Sequence, residues 1–122
     1  QMYALKMPGA VGELALNQLK KFESFIPLRQ QAAEKWHKWG LNNGYGVASP
    51  GSDSYCTWLR YPVIVPEYKK KDTGWIEKEL GMEAGVWFQT PCHPQIRKIE
   101  DIPVGCDVAN TIVNLPTGLW VK

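Results

Sequence analysis

At 122 residues the chain has room for one domain, which excludes a large self-contained enzyme. A composition of 44% hydrophobic and 21% charged residues, with 11 Gly and 9 Pro, belongs to a globular chain with a core and not to a disordered or collagen-like one. Fourteen Lys plus Arg against twelve Asp plus Glu leave +2, too little to make nucleic acid or an anionic membrane the main partner.

In chain order, Pro8 followed by Val11, Leu14, Ala15, Leu19, Phe22 and Ile26 has the spacing of a helix with Pro near its first turn. Pro27 is expected to interrupt it. A second helical stripe follows through Leu28, Ala32, Trp36 and Trp39 to a stop at Gly40, so that the two form a bent or broken pair. Asn42-Asn43-Gly44 and Ser49-Pro50-Gly51-Ser52-Asp53 are turn chemistry around a short extended piece at Tyr45 to Ala48. Cys56 to Val65 is rich in aromatic and β-branched residues and is expected to be a principal strand, which Pro62 places at an edge or a bulge. The run Lys69-Lys70-Lys71 reads as a solvated loop tip.

Asp72-Thr73 is suited to cap a short helix carrying Trp75, Ile76 and Leu80, ended by Gly81. Val86-Trp87-Phe88 reads as a short strand, and the stretch from Gln89 to Gln95, stiffened by Pro91 and Pro94, as an ordered loop. Val104, Val108, Ala109 and Ile112 mark a last helix, and Leu115 to Val121 is a short extended tail broken by Pro116 and Gly118. This order predicts an α+β fold: a small two-layer domain, three to four helices packed on a short, mostly antiparallel sheet. No apolar run approaches the ~18 residues of a membrane span, and no leader pattern opens the chain. Cys56, Cys92 and Cys106 are odd in number and form no C-x-x-C pair, which fits buried thiols in a reducing cytoplasm.

Candidate chemistry is sparse. There is no Gly-rich phosphate loop, no metal-ligand spacing and no convergent carboxylate pair; Glu100-Asp101 beside Arg97-Lys98 makes a solvated turn. His37, between Trp36 and Lys38 and off the apolar stripe, reads as a surface residue. His93 sits in the Pro-stiffened loop, where an imidazole either hydrogen-bonds its own loop or meets a ligand. Cys92 and His93 are adjacent, and neighbouring side chains on an extended chain point apart, so they do not make a nucleophile pair.

Three stretches resemble the C-terminal part of the DegT/DnrJ/StrS sugar aminotransferases, fold-type I pyridoxal-phosphate enzymes that act on nucleotide-linked keto sugars. The first is Tyr3-Ala4-Leu5-Lys6-Met7-Pro8 with Gly12, Leu16, Gln18, Leu19 and Lys20; the second is Gly85-Val86-Trp87-Phe88-Gln89-Thr90-Pro91-Cys92-His93-Pro94-Gln95. The third is Cys106-Asp107-Val108-Ala109 followed by Asn114-Leu115-Pro116-Thr117-Gly118. Together they cover essentially the whole chain in the family's order.

The resemblance implies a small C-terminal domain, with residues 1–26 a helix linking to a missing large domain and 27–122 the small domain itself. It implies a cytoplasmic homodimeric parent that takes a nucleotide-sugar substrate and an amino donor such as glutamate, to which this chain gives substrate-loop and dimer-interface residues. His93, Trp87 and Lys6 become the substrate-contacting candidates: His93 matches the family's loop histidine, Trp87 keeps an aromatic wall, and Lys6 keeps the charge of an arginine. Ala4 stands where the family has an asparagine that reaches the cofactor phosphate. None of the eleven Lys matches the Schiff-base lysine, so no catalytic residue is assigned and the chain alone is expected to be inactive. The start at Gln1, close to an organised segment, is read in the same way, as that of a fragment. The alternative is a free-standing, Trp-rich module that binds carbohydrate or protein without catalysis. In it Trp36, Trp39 and Trp75 are core by spacing, and Trp58, Trp87 and Trp120 are free to be exposed.

Overall fold

One helix organises the chain. In the computed structural model, which describes residues 7–82, 90–91 and 102–118, α1 spans Gly9–Asn42 without a break. The expected interruption at Pro27 does not occur. A proline costs a helix one N–H donor and about 3 kcal/mol or more, but Pro27 is exposed, as is Glu23, whose carbonyl loses its partner and is open to water. Nor does Gly40 stop the helix. It is buried, and a Cβ there would lie 2.5 Å from Val47 Cγ1, so its role is to let the helix approach the sheet. The helix ends instead at Asn43, whose backbone and side-chain N–H groups both donate to Trp39 O.

The sheet is antiparallel, with β1 (Gly46–Val47), β2 (Arg60–Ile64) and β3 (Ile112–Pro116) in the order β1-β2-β3. β2 is therefore the middle strand, and Pro62 is tolerated in it for a geometric reason. Val65 N donates to Thr111 O, and since hydrogen-bonded pairs alternate in an antiparallel ladder, Pro62 opposite Asn114 falls at a pair that exchanges no bonds. Its missing donor faces the β1 side, where β1 has already ended at Val47 opposite Val63. The last strand also starts earlier than the sequence suggests, at Ile112, directly after the final helix.

Tyr61, Val63, Val113 and Leu115 alternate onto one face of the sheet and are buried against Ala33 and Trp36 of α1, with Val65 and Ile76 closing the core. The Trp36 indole donates to Pro116 O at 2.7 Å, tying the helix to the last strand. The remaining helices are α2 (Glu67–Lys71), α3 (Gly74–Leu80) and α4 (Pro103–Thr111). For α3 the capping signals hold in part: the N-cap Thr73 makes no side-chain cap hydrogen bond, but Asp72 Oδ1 accepts from Gly74 N at 3.1 Å, and Gly81 takes the left-handed φ of +64° that ends the helix. The architecture is α+β, helices against one short antiparallel sheet.

The basic run is not a loop tip. Lys69, Lys70 and Lys71 form most of α2. Lys70 is buried and donates to Ala109 O in the last turn of α4, where the helix dipole favours a cation; burial pulls its pKa below the ordinary lysine value. Lys69 Nζ lies 4.5 Å from the centroid of Trp75 and 5.4 Å from that of Tyr45, and the Tyr45 hydroxyl beside it raises its pKa. Trp39 stacks on Trp75 at 5.9 Å, so this cation caps an aromatic layer. Only Lys71 is solvated, in an exposed pair with Glu67.

Candidate functional site

His93, Trp87 and Lys6 all lie outside the described residues, as do the expected strand at Val86-Trp87-Phe88 and most of the loop that follows it. Within the described residues the polar and aromatic side chains converge elsewhere, in a cleft of about 240 Å3 between α1, the β1–β2 loop and β2. Gln30, Glu34 and His37 form one wall. They are spaced i, i+4 and i+7, so one face of α1 presents all three. Trp58 and Tyr61 form the other wall, and Ser49 and Pro50 the rim.

His37 is thus not a surface residue. It is half-buried, its Nδ1 lies 2.8 Å from the Tyr61 hydroxyl, and its ring meets Tyr61 edge-on with centroids 6.3 Å apart. The Tyr61 hydroxyl is also 3.4 Å from Ala48 O. A phenol has one proton to give: it goes to Ala48 O when Nδ1 carries a hydrogen, and to Nδ1 when Nδ1 is bare. Both arrangements leave Nε2 as the imidazole nitrogen available to a ligand. Burial pushes the Tyr61 hydroxyl above its ordinary pKa of 10.0, so it stays a neutral donor and acceptor.

Trp58 owes its place to an unusual backbone. Its φ of +47° is in the left-handed region, which for a bulky residue costs on the order of 1–3 kcal/mol and persists only where the surroundings enforce it. Thr117, 1% exposed, supplies the enforcement: its hydroxyl donates to Trp58 O and is 3.0 Å from Leu59 O. The result sets the indole 4.9 Å from Tyr61, tilted by 51°. Glu34 pairs with Lys38 at 2.8 Å, and that hydrogen bond and charge hold its carboxyl below the usual carboxylate range. The pair is exposed and adds little stability, but it leaves one carboxylate oxygen for other contacts.

Chain comparisons add nothing to this geometry. No family model, curated protein or solved structure matches the chain. Among the described residues no three His, Cys, Asp or Glu side chains gather as metal ligands, and no helix is long and apolar enough to cross a membrane. A second cleft, about 350 Å3 and lined by Pro91, Val104, Val108 and Ile112, is almost wholly apolar and offers no chemistry of its own.

The sequence contains the signal for the α1 wall, in the i, i+4, i+7 spacing of Gln30, Glu34 and His37. It contains none for the opposite wall, because Trp58 and Tyr61 reach it only through the fold.

Proposed function

We propose that the chain is the small C-terminal domain of a cytoplasmic, homodimeric pyridoxal-phosphate aminotransferase that acts on nucleotide-linked keto sugars with an amino donor such as glutamate. The observation that carries this reading is the open apolar stripe of α1. Val11, Leu14, Leu19 and Phe22 recur at helical spacing yet remain exposed, with Leu19 at 66%. Such a face is what a small domain turns toward the rest of a larger enzyme. The order of the three sequence stretches and the α+β fold support the same reading.

The cofactor does not fit the lysines among the described residues. Imine chemistry needs an amine free to condense with the cofactor carbonyl in a pocket. Lys70 is committed to Ala109 O and Lys69 to the Tyr45 and Trp75 rings, while Lys20, Lys21, Lys35, Lys38, Lys71 and Lys78 lie exposed on helices. The cofactor belongs to the parent's large domain, and in this reading His93, Trp87 and Lys6 contact the sugar-nucleotide substrate.

The test is on the full-length product of the reading frame that carries this chain. It should contain an upstream imine-forming lysine, take up pyridoxal phosphate with visible absorbance, and move an amino group from glutamate to a nucleotide-linked keto sugar. In that protein His93→Ala should raise KM for the sugar more than it lowers kcat. A full-length product that lacks the lysine, or stays colourless with the cofactor, overturns the reading.

A further inference from the structure

We propose that the cleft between α1 and β2 binds a single neutral sugar ring. This does not rest on the aminotransferase reading, since none of the residues that carry it belongs to the loop of Trp87 and His93. Two walls of different chemistry meet there. The α1 wall offers an amide at Gln30, a carboxylate oxygen at Glu34 and an imidazole nitrogen at His37, three planar groups that bond to adjacent hydroxyls. The facing indole of Trp58 offers an apolar plane for the C–H face of a pyranose.

Size and charge narrow the ligand. About 240 Å3 admits one six-membered ring with its hydroxyls, not an extended chain. The Glu34 carboxylate, kept ionised by Lys38, repels phosphates and carboxylates, and Lys38 itself is engaged by it at 2.8 Å. The cleft is also preorganised. Tyr61 fixes the orientation of His37, and Thr117 holds Trp58 in a backbone conformation that a residue of its size does not take unaided. Trp58 itself packs against the edge of the core, beside Tyr61.

The experiment is a titration of the 122-residue chain, followed by 1H–15N NMR, with methyl β-glucopyranoside and methyl β-galactopyranoside, and with uridine and acetate as counter-probes. One glycoside should shift the Trp58 indole and the amides of residues 30–37 saturably, with a Kd of roughly 1 mM, ordinary for a ligand of so few atoms. Gln30→Ala and Glu34→Ala, both on the helix surface, should each weaken binding about fivefold or more, the scale of one lost hydrogen bond. Trp58→Ala should abolish it, and if that variant does not fold, the two α1 variants decide. Lys71→Ala, distant on α2, should change nothing. Silence from both glycosides up to about 50 mM, well beyond the expected Kd, overturns the proposal. So do shifts from uridine or acetate alone, or shifts centred on Tyr45 and Trp75.

Discussion

Between residues 9 and 31 α1 carries Val11, Leu14, Leu16, Leu19 and Phe22 and buries nothing, whereas its last eleven residues bury Ala32, Ala33, Trp36 and Gly40. The stripe itself does not change. Ala15, Leu19, Phe22, Ile26, Ala33, Trp36 and Gly40 continue one face at helical spacing from the open part into the core. What differs is the surface opposite. The second part meets Tyr61, Val63 and Leu115 of the sheet, and its residues are sized for that contact, with Gly40 where the backbone comes nearest. An amphipathic pattern marks a face that can be buried; the size of the residues along it marks where burial has been fitted.

The difference can be broken most severely at Trp36. Trp36→Ala should cost about 3–5 kcal/mol by loss of core volume, with more from the stranded Pro116 carbonyl, read as the midpoint of a urea titration; a loss below about 1 kcal/mol would mean that the indole is not packed as described. Gly40→Ala is expected to cost about 1–3 kcal/mol, because the new methyl overlaps Val47, and NMR should show the loss centred on β1. Tyr61→Phe should cost about 1 kcal/mol at neutral pH.

Tyr61→Phe should also change the alkaline limb. Because folding raises the Tyr61 pKa, the wild type keeps its full stability below pH 10.0 and loses it as the pH climbs from there toward the folded value. The phenylalanine variant lacks that component, so its curve should be flatter above pH 10. Lys70 works in the opposite sense over the adjoining range: its pKa is lowered, so a penalty is relieved as the pH rises toward the ordinary lysine value. Smallest of all is Leu19→Asn on the open part of the stripe, which should move the stability of this chain by less than about 0.5 kcal/mol. If the chain is the small domain proposed above, the same substitution in the full-length aminotransferase should cause a marked loss of expression or thermal stability. Indifference there too would remove the support that this face lends to the aminotransferase reading.

The sequence shows the local devices plainly, since each depends on neighbours a few positions away. Asp72 and Gly81 bracket α3, Val104, Val108 and Ala109 lie in α4, and the Tyr45 to Ala48 stretch contains β1. The sequence misleads where distant residues decide. Pro27 is tolerated where the freed carbonyl is open to water, and exposure at that turn is a property of the fold. Gly40 reads as a stop until Val47 is seen against it. Lys70 in a triplet of lysines reads as solvent-facing until the end of α4 supplies a carbonyl. His37 reads as surface because its partner, Tyr61, is 24 positions away. The fold class was legible; the cleft was not, because His37 reads as surface and the Trp58 wall forms only through the fold.

The bond from Trp36 to Pro116 joins residues 80 positions apart, and Thr117 reaches back 59 positions to Trp58. For a chain emerging from the ribosome, α1 and β2 are therefore complete long before β3 can join them. β2 waits with one edge unpaired until β3 arrives. Closing that distant pair should set the pace of folding, and while it remains open a nascent chain offers both an apolar helix face and an unpaired strand edge. A chain that presents both during synthesis has reason to depend on chaperones in that interval.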